Sequence, residues 1–281
     1  MQLRLPQDAR IWQIAFQAVL LAIGVLARDF SLAASQMALC FAAGLATQAL
    51  WIRVLALRNV GYLSAVITCF GLSLLLRADS WWAHPLAAAL ALSAKFTLRL
   101  RGKHLFNPAN LGVVLAVLLF PGAWISPGQW GSDLAFAAWF IALGGFVASR
   151  AQRADTSWVF LAAYLLLIGA WYLWLGKSLA SWLHHLQSGA LLLFAFFMIS
   201  DPMTTPDRRS ARIIHAVCVA AVAFAWQFLL YRPNGLIWAL LFCVPLVPLL
   251  DAWLPGRRFH WREPADPAAT IARKDSWSTA R

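Results

Sequence analysis

Residues 101–112 read RGKHLFNPANLG, and they set two asparagines and a proline between long apolar runs. Proline at a first helical turn costs no backbone hydrogen bond, and asparagine just before it is a favoured N-cap. The stretch therefore predicts that Asn107 caps a helix starting at Pro108. Asn110, one turn further on, is a second amide that capping does not use. Arg99, Arg101 and Lys103 lie just upstream, which places the helix start at a charged boundary.

The texture around the stretch explains why that boundary matters. Of 281 residues, 62% are hydrophobic and only 12% are charged, with 16 tryptophans and a mean hydropathy of +0.68. Soluble domains average about 25% charged residues. A chain with half that share is expected to sit in lipid, and several runs approach the roughly 17 to 25 residues that a spanning helix requires. The runs are continuous rather than alternating, which argues against a β-barrel. The expected fold is all-α: a polytopic helical membrane protein.

Apolar runs near 11–27, 31–52, 60–76, 84–100, 109–125, 134–149, 158–175, 186–200, 213–230 and 235–254 predict about ten transmembrane helices. With the N-terminus in the cytoplasm, 18 of the 23 basic residues fall on inner segments and four (Arg28, Arg77, Lys177 and Arg232) on outer loops. That bias follows the positive-inside rule and supports the count, because one missed helix would scramble the alternation after it. The first run has a second reading as a signal peptide, since Arg4 and Arg10 precede it, but it is longer than the usual apolar region of one. Residues 1–255 are expected to form the helical bundle and 256–281 a basic cytoplasmic tail. The tail's ordinary role is topological, and attraction to anionic lipid or an acidic partner is its functional alternative.

A second polar interruption, ISDPMTTPDRRSAR at 199–212, repeats the grammar of the first. Asp201 before Pro202 predicts another capped helix, and Thr204 and Thr205 exceed what a cap requires. Bare N–H groups at such helix starts suit an anion, and capped or broken helices in membrane proteins commonly line a site. Lys95 is the one ionisable side chain well inside an expected span. A charge there costs roughly 2.5 to 3.5 kcal/mol on insertion scales, so it either snorkels toward Arg99 or faces protein.

The remaining features have ordinary readings. Trp81, Trp82, Trp124, Trp130, Trp158, Trp174 and Trp253 fall near span ends, where indoles anchor at headgroups. His84, His184 and His185 read as interface residues. Cys40, Cys69, Cys218 and Cys243 lie in apolar runs without metal-ligand spacing and read as small hydrophobes. Neither GxSxG, HExxH nor a P-loop occurs, which sets aside the common soluble hydrolases. The basic residues flank helices rather than forming one patch, so nucleic acid is not an expected partner despite a net charge of +12.

Taken in order, GKHLFNPANLGVVLAVLLFPG and FFMISDPMTTP resemble the paired motifs of a membrane-subunit family. That family includes the B-type membrane subunit of the sodium-pumping NADH:quinone reductase and the D-type membrane subunit of the Rnf electron-transport complex. The longer form RGKHLFNPANLG…WISPGQWG is closer to the standalone UnbU-like branch associated with enediyne biosynthesis. The resemblance covers about Ala87 to Ala216. It implies a bacterial inner-membrane protein with cytoplasmic termini, an internal repeat, a flavin (FMN or riboflavin) held in the bundle, and other membrane redox subunits as partners. It carries over to Asn107, Pro108 and Asn110, and to Asp201, Pro202 and Thr204. Thr205 and Lys95 complete the candidate cofactor-binding set.

One departure limits the likeness. Flavinylated members attach FMN to a threonine in a Ser-Gly-Ala-Thr motif, whereas residues 120–139 here, FPGAWISPGQWGSDLAFAAW, contain no threonine. Any flavin is therefore expected to be noncovalent. Whether the repeat is same-sense or inverted depends on re-entrant segments near 81–90 and 177–186. Two functions are carried forward: a flavin-dependent electron-transfer subunit that also translocates ions in some members, and a small-molecule or ion transporter or channel on the same scaffold.

Overall fold

The computed structural model describes residues 8–27, 30–58, 60–126, 134–186 and 188–261. Most of the expected tail, 262–281, lies outside the described residues, as do Arg4, Arg28 and Trp130.

The described chain is mostly helical, with four short strands. Its helices are α1 (Ala9–Ala27), α2 (Ala34–Val54), α3 (Leu63–Leu75), α4 (Ala83–Thr97), α5 (Pro108–Leu119) and α6 (Leu134–Arg150). The later ones are α7 (Ala154–Trp174), α8 (Leu179–Leu186), α9 (Gly189–Leu193), α10 (Arg209–Phe224), α11 (Gly235–Phe242) and α12 (Leu246–Trp253). Both α9 and α10 run on into a π turn, Phe194–Met198 and Ala225–Leu229.

Four helical stretches among the described residues are long and apolar enough to cross a membrane: Ala9–Ala27, Ala34–Val54, Ala154–Trp174 and Arg209–Leu229. The pair α11 and α12, bent by 47°, makes a fifth candidate if it is one span. The other apolar helices are shorter. Large side chains such as Leu26, Leu166 and Leu173 stay 70–85% exposed on the outside of the bundle, where a bilayer would cover them.

Several expected spans are interrupted for identifiable reasons. The run 109–125 stops as helix at Leu119, where Pro121 follows and Gly122 adopts φ 74°. The run 235–254 breaks at Pro245, whose missing N–H and ring oppose a continuous helix. The run 186–200 begins only after Ser188, whose hydroxyl accepts the Leu191 N–H at 3.4 Å as an N-cap. Residues 179–186 instead form the separate, largely exposed helix α8, tied to α7 by the Trp182 indole donating to the Leu165 carbonyl at 2.8 Å.

Short strands repair what the short helices leave open. β1 (Leu76–Ala78) follows α3 directly and pairs antiparallel with β4 (Ala123–Ile125) beyond α5, with Arg77 opposite Trp124. Backbone groups inside a membrane must find partners within the protein, and this pairing supplies them where two helices stop early. Side chains take further carbonyls there: Arg77 donates to Ser73 and Leu76, and Gln36 donates to Ala78. His84, expected at the interface, is instead fully buried with Nε2 3.1 Å from the Leu76 carbonyl.

A second hairpin, β2 (Arg99–Leu100) and β3 (Lys103–His104), turns through Arg101 and Gly102 at φ 49° and 79°. Two successive left-handed residues are the requirement of a type I′ turn. The hairpin ends the 84–100 run and turns Lys103 and His104 into the protein. Packing is densest between α7 and α10 and between α2 and α4, around a core that includes Phe16, Phe140, Phe160, Phe194 and Phe196.

Candidate functional site

The α5 start forms as its sequence predicts. Asn107 adopts an extended conformation, its Oδ1 accepts the Asn110 N–H at 3.1 Å, and Pro108 occupies the first turn. That leaves the Asn107 Nδ2 free to reach elsewhere. It points to the Asp201 carboxylate and the Met198 carbonyl, both at 3.4 Å. The two motifs are thus neighbours in space.

Asp201 does not cap a helix, which corrects the expectation from its sequence. Its Oδ1 accepts the Met203 N–H at 3.0 Å and closes a turn, and α10 begins only at Arg209 without a side-chain cap. The reason lies four residues downstream of Pro202: Pro206 has no N–H for a helical bond and disfavours helical geometry at Thr205. Thr204 and Thr205 place their hydroxyls on the Asp201 carbonyl, a local bond that competes with helix. Thr205 also accepts from Arg153 Nε at 2.9 Å.

Between the motifs lies a narrow chamber of about 80 Å³, and Asn107, Pro108, Asp201, Pro202 and Lys95 all line it. Asn110, Thr204 and Thr205 are not on its wall. Asn110 is 2% exposed, and its Oδ1 has no hydrogen-bond partner among the described residues. Lys95 neither snorkels nor faces lipid: Nζ donates to Ser64 Oγ at 2.6 Å and to Gln48 Oε1 at 3.2 Å.

Reasoning from motifs missed other polar members of the wall: Gln13 and Gln17 on α1, Ser64 and Thr68 on α3, His104 and Ser200. Two of these pairs are spaced i, i+4, which places each on one helical face. Polar pairs at that spacing within otherwise apolar helices are the signal that was available. Gln17 is 3% exposed, and its Oε1 has no partner among the described residues.

Charge in this region is balanced by direct contacts. His104 Nε2 lies 3.8 Å from Asp201 Oδ2. Burial pushes the Asp201 carboxyl upward, but His104 and the Met203 N–H outweigh it and hold its pKa below the ordinary carboxylate value. Below the chamber, Lys103 Nζ reaches Asp207 and Asp251 at 2.8 Å each and the Thr205 carbonyl at 2.9 Å. That cluster ties the β2–β3 hairpin and the 201–207 loop to α12.

A second polar cavity of about 180 Å³ opens beyond the chamber, with Tyr164, His185, Ser188, Gln227 and Asn234 on its wall. Tyr164 donates to Gln227 at 3.3 Å, and the Tyr172 hydroxyl lies 2.8 Å from His185 Nε2. Leu75, Leu193 and Met198 belong to both walls. The segment Gly189–Met198 runs from one cavity to the other, its capped start in the second and its end at the chamber.

The donor set suits a polar edge of a flavin, but the space does not suit the ring system. A water needs roughly 10 to 15 Å³ of such a cavity, whereas small-molecule sites run about 300 to 1,000 Å³. At about 80 Å³ the chamber takes a few waters or a small ion. A flavin ring has no room there.

Comparison with known proteins agrees with part of the resemblance. Residues 126–260, just under half of the chain, match the model of the NQR2, RnfD, RnfE family. That match includes Asp201 and begins after Asn107. The chain is similar to the D-type subunit of the ion-translocating oxidoreductase complex of Escherichia fergusonii, 28% identical over 141 residues, or 50% of this chain and 36% of that protein. It is 42% identical over 69 residues to the protein of the same name from Stutzerimonas stutzeri, covering 25% of this chain and 20% of that protein. The corresponding protein from Tolumonas auensis is 35% identical over 72 residues, covering 26% and 21% respectively. The chain thus spans between 20% and 36% of the length of these curated relatives.

Proposed function

We propose that this chain is a multi-pass membrane subunit of an ion-translocating electron-transfer system, of the kind its relatives' name describes. The observation that carries the reading is the meeting of Asn107 and Asp201, 94 residues apart, on the wall of a narrow chamber that also carries buried polar side chains. Two motifs that resemble one family's pair come together on one wall, and the second lies within the stretch matching that family.

Within this reading the chamber serves a small ion or water rather than the cofactor. Asp201, Asn107 and the orphaned Gln17 oxygen supply acceptors and a donor, while Lys95 adds an ammonium to the same wall. The second cavity continues the route, with Leu75, Leu193 and Met198 on the wall of both spaces. A noncovalent flavin, where the system carries one, sits outside this chamber, and other membrane subunits supply or accept its electrons.

The finer points follow the same line. Short helices closed by strands support about ten membrane passages with α3, α5 and α9 as shallow elements, and the two capped starts at Asn107 and Ser188 support an internal repeat. Arginines gathered at the starts of α1, α7 and α10 support cytoplasmic termini in a bacterial inner membrane. The stretches FNPANLG and SPGQWG support a place in the standalone UnbU-like branch.

Purification of the tagged chain from its native membrane in mild detergent tests the reading. Co-elution with further membrane subunits, with visible flavin absorbance that acid precipitation releases, is the expected result. A colourless chain that elutes alone and moves a solute in proteoliposomes without any electron donor would overturn it in favour of a transporter.

A further inference from the structure

A third, larger cavity lies where the starts of α1, α7 and α10 meet the strap 255–261. Its volume is about 890 Å³, inside the range of small-molecule sites. Its wall carries five arginines, Arg150, Arg153, Arg212, Arg257 and Arg258, against two aspartates, Asp8 and Asp207.

Both aspartates are already engaged. Asp8 holds Arg10 at 2.6 Å, and Asp207 holds Lys103 at 2.8 Å. Of the arginines, only Arg212 has a carboxylate partner among the described residues, Asp155 at 2.6 Å. Arg153 is 3% exposed and its direct contacts are neutral: Nε donates to Thr205 at 2.9 Å, Nη1 to the Gln152 carbonyl at 3.0 Å, and the guanidinium lies 5.1 Å over the Phe259 ring, while Asp155, Asp207, Asp201 and the Arg212 cation act on it only at longer range. A buried guanidinium with no carboxylate in direct contact leaves its charge incompletely compensated, and burial of such charge is costly.

The strap is seated by specific packing. Gly256 lies against the Arg208 backbone with no room for a Cβ, Arg258 packs over Gly102, and Arg10 stacks 4.6 Å over Trp261. Arg257 and Arg258 are therefore carried to the cavity by a fitted segment. Trp261 also lines the narrow chamber, so one indole is a wall of both spaces.

We propose that this cavity binds a phosphate-bearing anion. Guanidinium forks match phosphate oxygens in pairs, and a concave wall of one sign concentrates the field that draws them. Phosphate of this kind reaches the site from a lipid headgroup or from a soluble phosphate ester. The proposal does not depend on the electron-transfer reading.

Two probes separate the sources. Inorganic pyrophosphate is titrated calorimetrically into the full chain in detergent, and phosphatidylglycerol retention is counted by native mass spectrometry from nanodiscs containing it beside phosphatidylcholine. The comparison uses Arg150→Gln/Arg257→Gln/Arg258→Gln, whose targets are exposed, with Arg257→Gln/Arg258→Gln as a milder form. The control is Arg53→Gln/Arg58→Gln, exposed arginines outside the cavity.

One pyrophosphate per chain, weakened roughly tenfold or more in the cavity variants and unchanged in the control, identifies a phosphate-ester site. One retained phosphatidylglycerol with the same dependence identifies a headgroup site. Either result supports the proposal. Absence of one-to-one binding with both probes, or equal loss in the control, would overturn it.

Discussion

The Asn107 side-chain amide donates to the Asp201 carboxylate at 3.4 Å, joining two proline-bearing motifs 94 residues apart. One asparagine therefore does two jobs, capping α5 with its oxygen and meeting Asp201 with its nitrogen. The substitutions Asn107→Leu and Asn107→Ser separate them. Asn107→Leu is expected to cost about 1 to 3 kcal/mol, combining a lost cap with a lost partner for a partly buried carboxylate. Asn107→Ser keeps a capping oxygen and recovers about 0.5 to 2 kcal/mol of that. Unfolding in detergent measures both, and equal losses would dissolve the distinction.

Asp201 sets an acid limit. Its pKa in the fold lies below the ordinary carboxylate value, so it contributes stability above about pH 4 that is lost as pH falls further. The melting temperature of the wild type should drop on acidification through that region, and Asp201→Asn should flatten the drop. Parallel curves for the two proteins would remove Asp201 from the account.

Lys95 and Gln48 should couple. Gln48→Leu strips one of two side-chain acceptors from a buried ammonium, at about 1.5 to 3 kcal/mol. In a Lys95→Met background the same change should cost far less, because no charge awaits the oxygen. A double-mutant cycle with no coupling would mean that the ammonium is solvated by other means.

Lys103 holds Asp207 and Asp251 together, with side chains only 11–14% exposed. Lys103→Met leaves two facing carboxylates and should cost about 3 kcal/mol or more. Adding Asp207→Asn and Asp251→Asn should restore much of the loss. If the triple variant is no better than the single one, the lysine acts by packing alone.

Helix packing offers a sharper steric test. A Cβ at Gly44 on α2 would collide with Cys69 Sγ on α3. Gly44→Ala should therefore destabilise by about 1 to 3 kcal/mol, and Cys69→Ala should relieve most of it. Additive effects would show that the two helices can part at no cost.

The helical, lipid-embedded character and the α5 start are legible in the sequence, because composition and an Asn-Pro cap act locally. The Asp201 turn is not, since Asp-Pro signals a helix start while the decisive veto, Pro206, stands four residues on. The helix-to-strand change at Leu75 is illegible for a different reason. Leu76 continues the apolar run, and its pairing with Ile125 joins residues nearly fifty apart. The chamber's glutamines and hydroxyls are visible only as i, i+4 pairs, and nothing local ties α1 and α3 to the two motifs. His84 looks like an interface residue because its partner, a strand carbonyl, exists only after the fold closes.

Leu75, Leu193 and Met198 line both the chamber and the second cavity, and on the proposed ion route that shared wall has an electrical consequence. If the two spaces fill with water from opposite sides of the membrane, an applied voltage falls mainly across the protein between them rather than evenly over the bilayer. An ion stepping past three side chains would then work against most of the potential, about 2.3 kcal/mol per unit charge for each 100 mV, in a single move.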